Sequence, residues 1–495
     1  MSTPPPTHKS YDDVEYFSMP VPEADPLLMS TIANLHDLET VDPTDCSYLE
    51  IGCGNGGNLF SLAGAYPGSR LTGFDPAEIP IQRGRDIAER TGITNVHLHH
   101  DASEIDLDAS ADYVVAHGVL TWVPDEARAS VLELAGRAAR PGALVNFSYR
   151  AYPHAYYEAA ARDIGELAIE IEKERAAERG ETLSWTDELK IARDRLQLVA
   201  TVASKQPHHG PALAAMVRKW GVTPDWTLFH DDLSDPMQPF RLAEVVAMAA
   251  EQGLRYVGEL IPQDLWQYRI PDEHCALIRK LAGPDAARRR QMADDFLGAA
   301  FHSSLFVKAD EAPELEPEVR GRPIYVRQYQ YGTEDGDRLS DAVSAPVAQV
   351  IREHHPEAVL ATEIAEELGR DLDVVHRELL ELHSRDLARL TTAPPRTPVP
   401  LSPKPKALPF AADQVRLGSE FLSSRYHVGV NYEYTARRAV LLVADGTRDR
   451  DQIVADLPAA AEAAGLSAGL DEVIATIDSV LENLELDGLF VVSDD

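Results

Sequence analysis

The sequence predicts an α/β protein that opens with a doubly wound, Rossmann-like domain and continues into helical and winged-helix-like regions. Strand-like and helix-like segments alternate over residues 46–150, which is typical of a parallel sheet covered by helices. A glycine-rich turn follows the first strand, and strand signals become scarce after Pro153. With 495 residues the chain is too long for one core, so several domains are expected.

Five short apolar segments are predicted to be the strands of the first domain, and helical segments separate them. The predicted strands are residues 46–52, 69–75, 95–102, 111–118 and 143–150, and the predicted helices are residues 27–36, 58–66, 79–91 and 124–139. Ligands of such sheets bind at the carboxyl edge of the strands, so the residues that follow each strand are the candidates for a site.

Changes in composition predict five regions. Residues 1–153 form the first domain, and residues 154–330 form a helical insertion, with helical signals continuing through 229–308. Residues 340–393 and 410–495 are predicted to be two winged-helix-like modules. The linker between them, residues 394–409, contains seven prolines and is expected to be semi-rigid.

The formal net charge of −35 limits the class of partner. Nucleic acids and anionic membranes are bound by basic surfaces, so this charge argues against both. The candidate recognition helix of the third region, residues 371–386, is itself acidic and would be repelled by phosphate. A basic or neutral partner suits the charge better, although an acidic surface more often serves solubility alone.

Cysteine usage and hydropathy predict a cytoplasmic protein. The three cysteines, Cys46, Cys53 and Cys275, form no CxxC pair, which favours a reducing compartment. No run of about 18 apolar residues predicts a membrane span, and the N-terminus lacks the apolar core of a signal peptide. The histidine pairs have no cysteine or carboxylate at a ligand-like spacing, so no metal site is expected.

The segment LEIGCGNGGN, residues 49–58, is the central motif of the first domain. It lies between a strand and a helix, and Gly52, Gly54 and Gly57 satisfy the GxGxxG fingerprint. Glycine is required where the backbone turns tightly and approaches a ligand closely. The pattern by itself does not distinguish NAD from S-adenosylmethionine (AdoMet).

Acidic residues around the turn favour AdoMet. Glu50 would repel a pyrophosphate but suits the cationic part of AdoMet. Asp75 ends the second strand and can accept the ribose hydroxyls of either cofactor. Asp101 and Ala102 end the third strand, where an adenine edge would lie. NAD and an inactive scaffold are the alternatives.

These residues resemble the first motif of the class I AdoMet-dependent methyltransferases. Most of the chain also resembles a narrower group, the methyltransferases that carry a methyltransferase regulatory domain. The longer members of that group include the rickettsial-type protein-lysine methyltransferases, which modify outer-membrane proteins. The matching segments are residues 11–29, VVAHGVLTWVPDEAR (114–128), NFSYRAYP (146–153), 230–259 and 440–457. The resemblance implies that 230–259 begins the regulatory domain, within the region 154–330, and that 440–457 belongs to the C-terminal module of the longer members. The resemblance implies AdoMet contacts at Glu50, Gly52, Gly54, Gly56, Asp75, Asp101, Ala102 and His117.

Candidates near the transferred methyl group come from three segments. Tyr11 and Tyr16 lie in an N-terminal segment that can fold over the cofactor. His117, Thr121 and Trp122 follow the fourth strand, and Ser148, Tyr149 and Tyr152 follow the fifth. The predicted catalytic set is His117, Trp122, Tyr149 and Tyr16. An aromatic ring could hold a methylammonium by cation–π attraction, although core packing would equally explain Trp122 and Tyr149, and His117 could pack on adenine rather than act as a base.

The sequence therefore predicts a methyltransferase that acts on a protein or peptide side chain, with a lysine nitrogen as the acceptor. The family's usual segment after the fifth strand, close to YNTxPGW, is replaced here by FSYRAYPHA. That departure keeps a small-molecule or ribosomal-peptide substrate as an alternative, and a non-catalytic AdoMet-binding interaction protein is another. The helical insertion could cover the substrate or form a homodimer interface.

Overall fold

The fold is known from a computed structural model of the chain. It describes residues 14, 16, 19–105, 107–261, 265–309, 323–328, 345–355, 357–395, 399–432 and 435–492.

A seven-stranded sheet forms the centre of the molecule. Its strands are β1 (Ser47–Ile51), β2 (Arg70–Phe74), β3 (Val96–His99), β4 (Ala111–Ala116), β5 (Ala139–Arg150), β6 (Leu254–Glu259) and β7 (Phe301–Lys308). They are ordered β3-β2-β1-β4-β5-β7-β6. The first five are parallel, whereas β7 pairs antiparallel with both β5 and β6. The predicted α/β fold is confirmed.

Helices cover both faces of this sheet. The first four are α1 (Pro26–Leu35), α2 (Gly57–Ala65), α3 (Glu78–Thr91) and α4 (Asp125–Ala138), close to the predicted bounds. Side chains alternate between two apolar cores, as the period of a strand requires. Tyr48 and Tyr113 lie in one core, and their neighbours Leu49 and Val114 lie in the other.

The expectation that residues 229–308 are helical throughout is wrong. This region supplies β6 and β7, which extend the sheet beyond β5. The strand signal of β7 is obscured because His302, Ser303 and Ser304 are polar yet fully buried. Burial opposes the charge of His302, but the carboxylates of Glu259 (3.1 Å) and Asp294 (3.2 Å) raise the pKa of this imidazole to about 10.

The region between β5 and β6 is helical, as predicted. Its helices are α5 (Ala155–Glu178), α6 (Trp185–Ala203), α7 (His209–Val222), a short α8 (Asp225–Thr227), a π-helix at Leu228–Asp232, and α9 (Leu242–Glu251). Two more, α10 (Asp272–Ala282) and α11 (Ala286–Leu297), lie between β6 and β7. Trp220, Leu196 and Met216 are buried in the core of the α5–α7 bundle.

The third region contains the three predicted helices and a small sheet. The helices are α12 (Ala345–His354), α13 (Ala361–Leu368) and α14 (Leu372–Ser384), and two strands of the sheet are β9 (Val359–Leu360) and β10 (Ala388–Thr391). The remaining strand, β8 (Tyr325–Gln328), comes from the end of the predicted helical insertion, so this module begins before residue 340. The strands pair antiparallel in the order β10-β8-β9. The comparison with winged helices stays a prediction.

The last region is helical and begins within the predicted linker. It contains α15 (Pro409–Leu417), β11 (Leu422–Ser423), β12 (Gly429–Val430), α16 (Ala436–Val443), α17 (Arg450–Ala463), α18 (Leu470–Ala475) and α19 (Ile477–Leu486). Lys406 and Ala407 form bridges to Asp445 and Phe490. The end of the proline-rich segment is therefore part of this C-terminal module rather than a spacer, because its backbone is hydrogen-bonded.

The C-terminal module docks onto the first domain. Helix α15 packs against α2 and α3. The Phe60 and Phe410 rings lie 5.2 Å apart, and Arg90 forms an ion pair with Asp413 at 3.0 Å. Over the residues that the structure describes, no helix is long and apolar enough to cross a membrane, and no cluster of His, Cys, Asp or Glu is arranged to hold a metal ion.

Candidate active site

The turn between β1 and α2 adopts a backbone conformation that favours glycine. Gly52, Gly54 and Gly56 all have positive φ, at 79°, 55° and 79°. A Cβ on Gly52 would lie 2.5 Å from Cγ2 of Val119, whereas a Cβ on Gly54 would have no atom within 4 Å. The turn is therefore packed on one side and open on the other, which is the shape of a cradle for a ligand.

Asp75 lies immediately beyond β2 and is tied to this turn. Its Oδ2 accepts the Gly54 amide (2.9 Å), and its Oδ1 accepts the Ala77 amide (2.9 Å). Burial raises the pKa of the carboxyl, and the two amide bonds act against that rise. Each oxygen of a carboxylate can accept more than one hydrogen bond, so both remain able to receive ribose hydroxyls.

Glu50 is buried within β1 and contacts helix α2. Both of its carboxylate oxygens accept from Asn58 Nδ2, at 3.2 Å each. Burial raises the pKa of Glu50 to about 8, and the charge of Asp75 adds to the rise. A buried carboxylate of this kind is stabilised by a nearby cation, and the methionyl ammonium of AdoMet is such a cation.

The N-terminal segment ahead of α1 contacts both α2 and the π-helix. We call its described residues, Val14, Tyr16 and 19–25, the strap. The Val21 amide donates to Asn58 Oδ1 (3.0 Å), and the Val14 carbonyl contacts His230 Nε2 (2.8 Å). The strap therefore connects helix α2, whose Asn58 donates to Glu50, with the π-helix.

The remaining predicted cofactor contacts lie at the ends of β3 and β4. Asp101 is exposed and caps the short helix Ala102–Glu104 through the Ser103 amide (2.8 Å). His117 follows β4, and burial lowers its pKa to about 4. Its Nδ1 has no hydrogen-bond partner among the described residues. With a pKa of about 4 the His117 imidazole is a weak proton acceptor near pH 7. It is better suited to packing against the adenine ring of a cofactor.

Trp122 and Tyr16 both contact the π-helix. The Trp122 indole donates to the Asp231 carbonyl (3.0 Å), and the Arg150 guanidinium lies 5.6 Å from its ring. The Tyr16 ring packs edge-on against Trp226 (4.8 Å) and His230 (5.7 Å). Two of the predicted catalytic residues therefore contact neighbouring residues of the π-helix, Asp231 and His230. Tyr11 lies outside the described residues.

Tyr149 lies in the core of the sheet and not at the glycine turn, which contradicts the prediction that it is a catalytic residue. Its side chain is fully buried in the sheet core, and its hydroxyl is paired with Ser304 Oγ at 2.9 Å. The neighbouring Ser148 accepts the Gly118 amide (2.7 Å), which fixes the loop after β4. Alternation along β5 places Ser148 and Tyr149 on opposite faces of the sheet.

The other two candidates have different surroundings. The Thr121 hydroxyl accepts the Arg150 amide (2.9 Å) and is fully buried. The Tyr152 ring packs at a tilt of 43° against Tyr156, with ring centroids 4.5 Å apart. Thr121 therefore positions the loop rather than a substrate.

Sequence reasoning missed a group of charged residues next to Trp122. Glu158, Asp231 and Asp232 lie together with Arg150 and Lys219. The Asp-Asp pair within the segment that resembles the regulatory domain was the available signal. The five residues come from β5, α5, α7 and the π-helix, so no local pattern brings them together.

Two family models match separate segments of the chain. Residues 49–145 match a methyltransferase domain, and residues 224–308 match a predicted methyltransferase regulatory domain. The first match contains the glycine turn, Asp75 and Trp122. The second contains Asp231 and the two strands that complete the sheet.

Curated relatives align with part of the chain. One uncharacterized protein of Rickettsia prowazekii is 25% identical over 310 residues, which is 61% of this chain and 53% of the relative. A second from the same organism is 34% identical over 147 residues, which is 29% of this chain and 58% of the relative. The chain thus spans little more than half the length of the curated relatives it matches.

Solved structures share the fold over nearly the whole chain. The structure of PKMT2 from Rickettsia typhi has a TM-score of 0.79 at 18% identity, covering 96% of this chain and 100% of that one. PKMT2 in complex with AdoHcy gives a TM-score of 0.78 at 19% identity over the same shares. The arrangement of first domain, helical insertion and C-terminal modules is therefore common to both proteins.

Proposed function

We propose that this chain, in which residues 49–145 match a methyltransferase domain and residues 224–308 match a predicted methyltransferase regulatory domain, is an AdoMet-dependent methyltransferase of lysine side chains in a protein or peptide. The observation that carries the proposal is the glycine cradle between β1 and α2, with Asp75 bonded to its Gly54 amide. The AdoHcy complex of PKMT2, which has the same fold, supports the choice of cofactor.

The residues around the cradle fit AdoMet. Gly52, Gly54 and Gly56 would let the backbone approach the cofactor, and Asp75 would accept its ribose hydroxyls. Glu50 would face the methionyl ammonium. His117, Asp101 and Ala102 would lie along the adenine.

The chemistry requires alignment more than a strong catalytic dyad. AdoMet supplies a methyl group on a sulfonium, which is already an activated leaving group. The protein must hold the acceptor nitrogen in line with that methyl group and exclude water. A lysine nitrogen must also lose its proton first, which a neighbouring carboxylate can assist.

A basic protein substrate is supported by charge and by architecture. The chain carries a formal net charge of −35, which attracts lysine-rich segments. Three carboxylates, Glu158, Asp231 and Asp232, lie beside Trp122 at the edge of the sheet. We retain a cytoplasmic location as part of the proposal.

The cofactor part of the proposal is tested by calorimetry with AdoMet and AdoHcy. Asp75→Asn should weaken both at least tenfold, since one hydrogen bond to a charged group contributes about 1.5–3 kcal/mol. Asp86→Asn, which removes a carboxylate from the exposed face of α3, is the matched control and should bind like the wild type. Binding of NADH with none of AdoMet would refute the proposal.

The substrate part is tested with labelled AdoMet. The protein is incubated with a whole-cell lysate, the products are separated by size, and the protein fraction is hydrolysed to amino acids. We expect the label in methylated lysine. Label confined to small molecules would instead favour a natural-product substrate.

A further inference from the structure

The π-helix Leu228–Asp232 presents two consecutive carboxylates to different surroundings. Asp232 is buried and bonds to Arg150 (2.9 Å) and Lys219 (2.6 Å). Glu158 is also buried and bonds to the same two cations, at 2.8 and 2.7 Å. The inner part of the cluster therefore contains two acids paired with two bases.

Whereas Asp232 is buried, Asp231 is half-buried. Its carboxylate accepts a hydrogen bond from Tyr16, and its carbonyl accepts the Trp122 indole. With Asp231 included, three carboxylates lie around the Arg150 and Lys219 cations, and the His154 imidazole is 3.8 Å from Glu158 at the far end of the cluster. The nearby Arg162 forms its own ion pairs with Glu166 (3.0 Å) and Asp235 (3.6 Å).

This imbalance leaves Asp231 suited to an additional cation. Burial raises the pKa of its carboxyl to about 7, and the charge of Asp232 adds to the rise, whereas Arg150, Lys219 and the Tyr16 hydroxyl lower it. A group that titrates near neutral pH is effective as a general base.

The loop after β4 connects Asp231 to the cofactor cradle. Val119 of this loop packs against Gly52, and Trp122 of the same loop bonds to Asp231. Tyr16 brings the strap to the same place, with the Trp226 ring 4.8 Å from its own. Aromatic rings beside a carboxylate form a favourable site for an alkylammonium.

We infer that Asp231 is a catalytic residue that binds the ammonium of the acceptor lysine, between Tyr16, Trp122 and Trp226, and receives its proton. This inference rests on the proposed function and names the residue that the reaction requires. Sequence reasoning placed the catalytic role on His117, Trp122, Tyr149 and Tyr16, whereas the geometry adds a carboxylate from the regulatory segment.

The ε-ammonium transfers one proton to the Asp231 carboxylate and becomes a neutral amine. The lone pair of the amine nitrogen forms a bond to the methyl carbon of AdoMet. The bond between that carbon and the AdoMet sulfur breaks, and the electron pair of the broken bond stays on the sulfur. The product is a secondary methylammonium, and the Asp231 carboxyl returns its proton to solvent.

The test uses the full chain labelled with 5-fluorotryptophan and saturated with AdoHcy. The probe is n-butylammonium, which mimics the lysine side chain, and n-butanol is its neutral counterpart. We expect butylammonium, but not butanol, to shift the fluorine resonances of Trp122 and Trp226, assigned by Trp→Phe variants. The shift at a fixed concentration should grow between pH 6 and pH 8, as Asp231 ionises while butylammonium stays protonated.

Asp231→Asn should raise the half-saturating butylammonium concentration about tenfold or more, the loss expected for one hydrogen bond to a charged group. Asp235→Asn, an exposed acid four residues later, should titrate like the wild type. Equal shifts with butanol, or an unchanged titration in Asp231→Asn, would overturn the inference. Failure of the wild type to bind AdoHcy in the same samples would instead refute the proposed function.

Discussion

Two glycines of the turn after β1 share a positive φ but differ in their surroundings. A Cβ on Gly52 would meet Val119 at 2.5 Å, and a Cβ on Gly54 would meet nothing. Gly54→Ala should therefore lose only the backbone preference, about 1–2 kcal/mol. Gly52→Ala should lose a further ~1–3 kcal/mol to the clash. Urea unfolding of both variants measures the difference.

The same comparison has an internal control at Val119. In a Val119→Ala background, the extra cost of Gly52→Ala should fall toward that of Gly54→Ala, because the contacted methyl group is removed. If the two glycine variants are equally stable in the wild-type background, the packing explanation for Gly52 fails.

Glu50 predicts a dependence of stability on pH. Burial raises the folded-state pKa of its carboxyl from 4.5 to about 8. Between these values the folded state binds a proton that the unfolded state has released, so this group's contribution to stability is lost as the pH rises. Glu50→Gln should remove this contribution, which is on the order of 3 kcal/mol between pH 5 and pH 7.

The measurement is the free energy of unfolding of the wild type and Glu50→Gln at pH 5, 6 and 7. The wild type should lose stability relative to the variant as the pH increases. Parallel curves would show that Glu50 titrates normally in the folded protein. In that case a cationic partner for this carboxylate would no longer be implied.

At the scale of elements, one side chain of the C-terminal module fixes the strap. His427 is fully buried and has a positive φ of 56°. Its Nε2 donates to the Val21 carbonyl (3.0 Å), and its Nδ1 is paired with the Ser61 hydroxyl (3.0 Å). The module thus clamps the strap against α2, one turn from Asn58, which donates to Glu50.

His427→Ala should release the strap without unfolding the first domain. Loss of about 1.4 kcal/mol would raise the exchange rate of the strap amides, such as those of Val21 and Ala24, roughly tenfold. Arg90→Ala is the control, because it breaks the ion pair to Asp413 at the same interface but does not contact the strap. Equal exchange in the wild type and His427→Ala would contradict the clamp.

The elements also show how far the sequence could predict the fold. The strands β1 to β5 and the helices α1 to α4 were predicted because apolar residues follow their periods closely. Strand β7 was missed because it is rich in buried polar residues, which pair with one another rather than with water. Strand β6 was missed with it, because β6 joins the sheet only through β7. Ser304, for example, bonds to Glu259 (2.7 Å) and to Tyr149 (2.9 Å).

At the scale of the whole molecule, the sheet joins the methyltransferase and regulatory segments into one core. The antiparallel pairing of β5 with β7 extends from Leu144 to Arg150. A fragment of residues 1–153, which follows the boundary predicted from sequence, would leave β5 as a long apolar edge strand. Such edges promote aggregation.

We therefore expect the 1–153 fragment to be insoluble or to aggregate. A fragment of residues 1–308 retains all seven strands and should be recovered in higher soluble yield. Size-exclusion chromatography and circular dichroism of both fragments are the measurements. A monomeric 1–153 fragment with a cooperative thermal transition would show that the first domain folds independently.

The sequence by itself determined the glycine turn after β1 and the succession of the first five strands along the chain. Both depend on local chemistry, namely glycines at a tight turn and apolar residues at the period of a strand or helix. The tertiary structure decided the position of Tyr149, the completion of the sheet and the carboxylate cluster around Asp231. Those features depend on residues more than 80 positions apart, such as Arg150 and Asp232, and long-range pairing of buried charges leaves no periodic signal in a sequence.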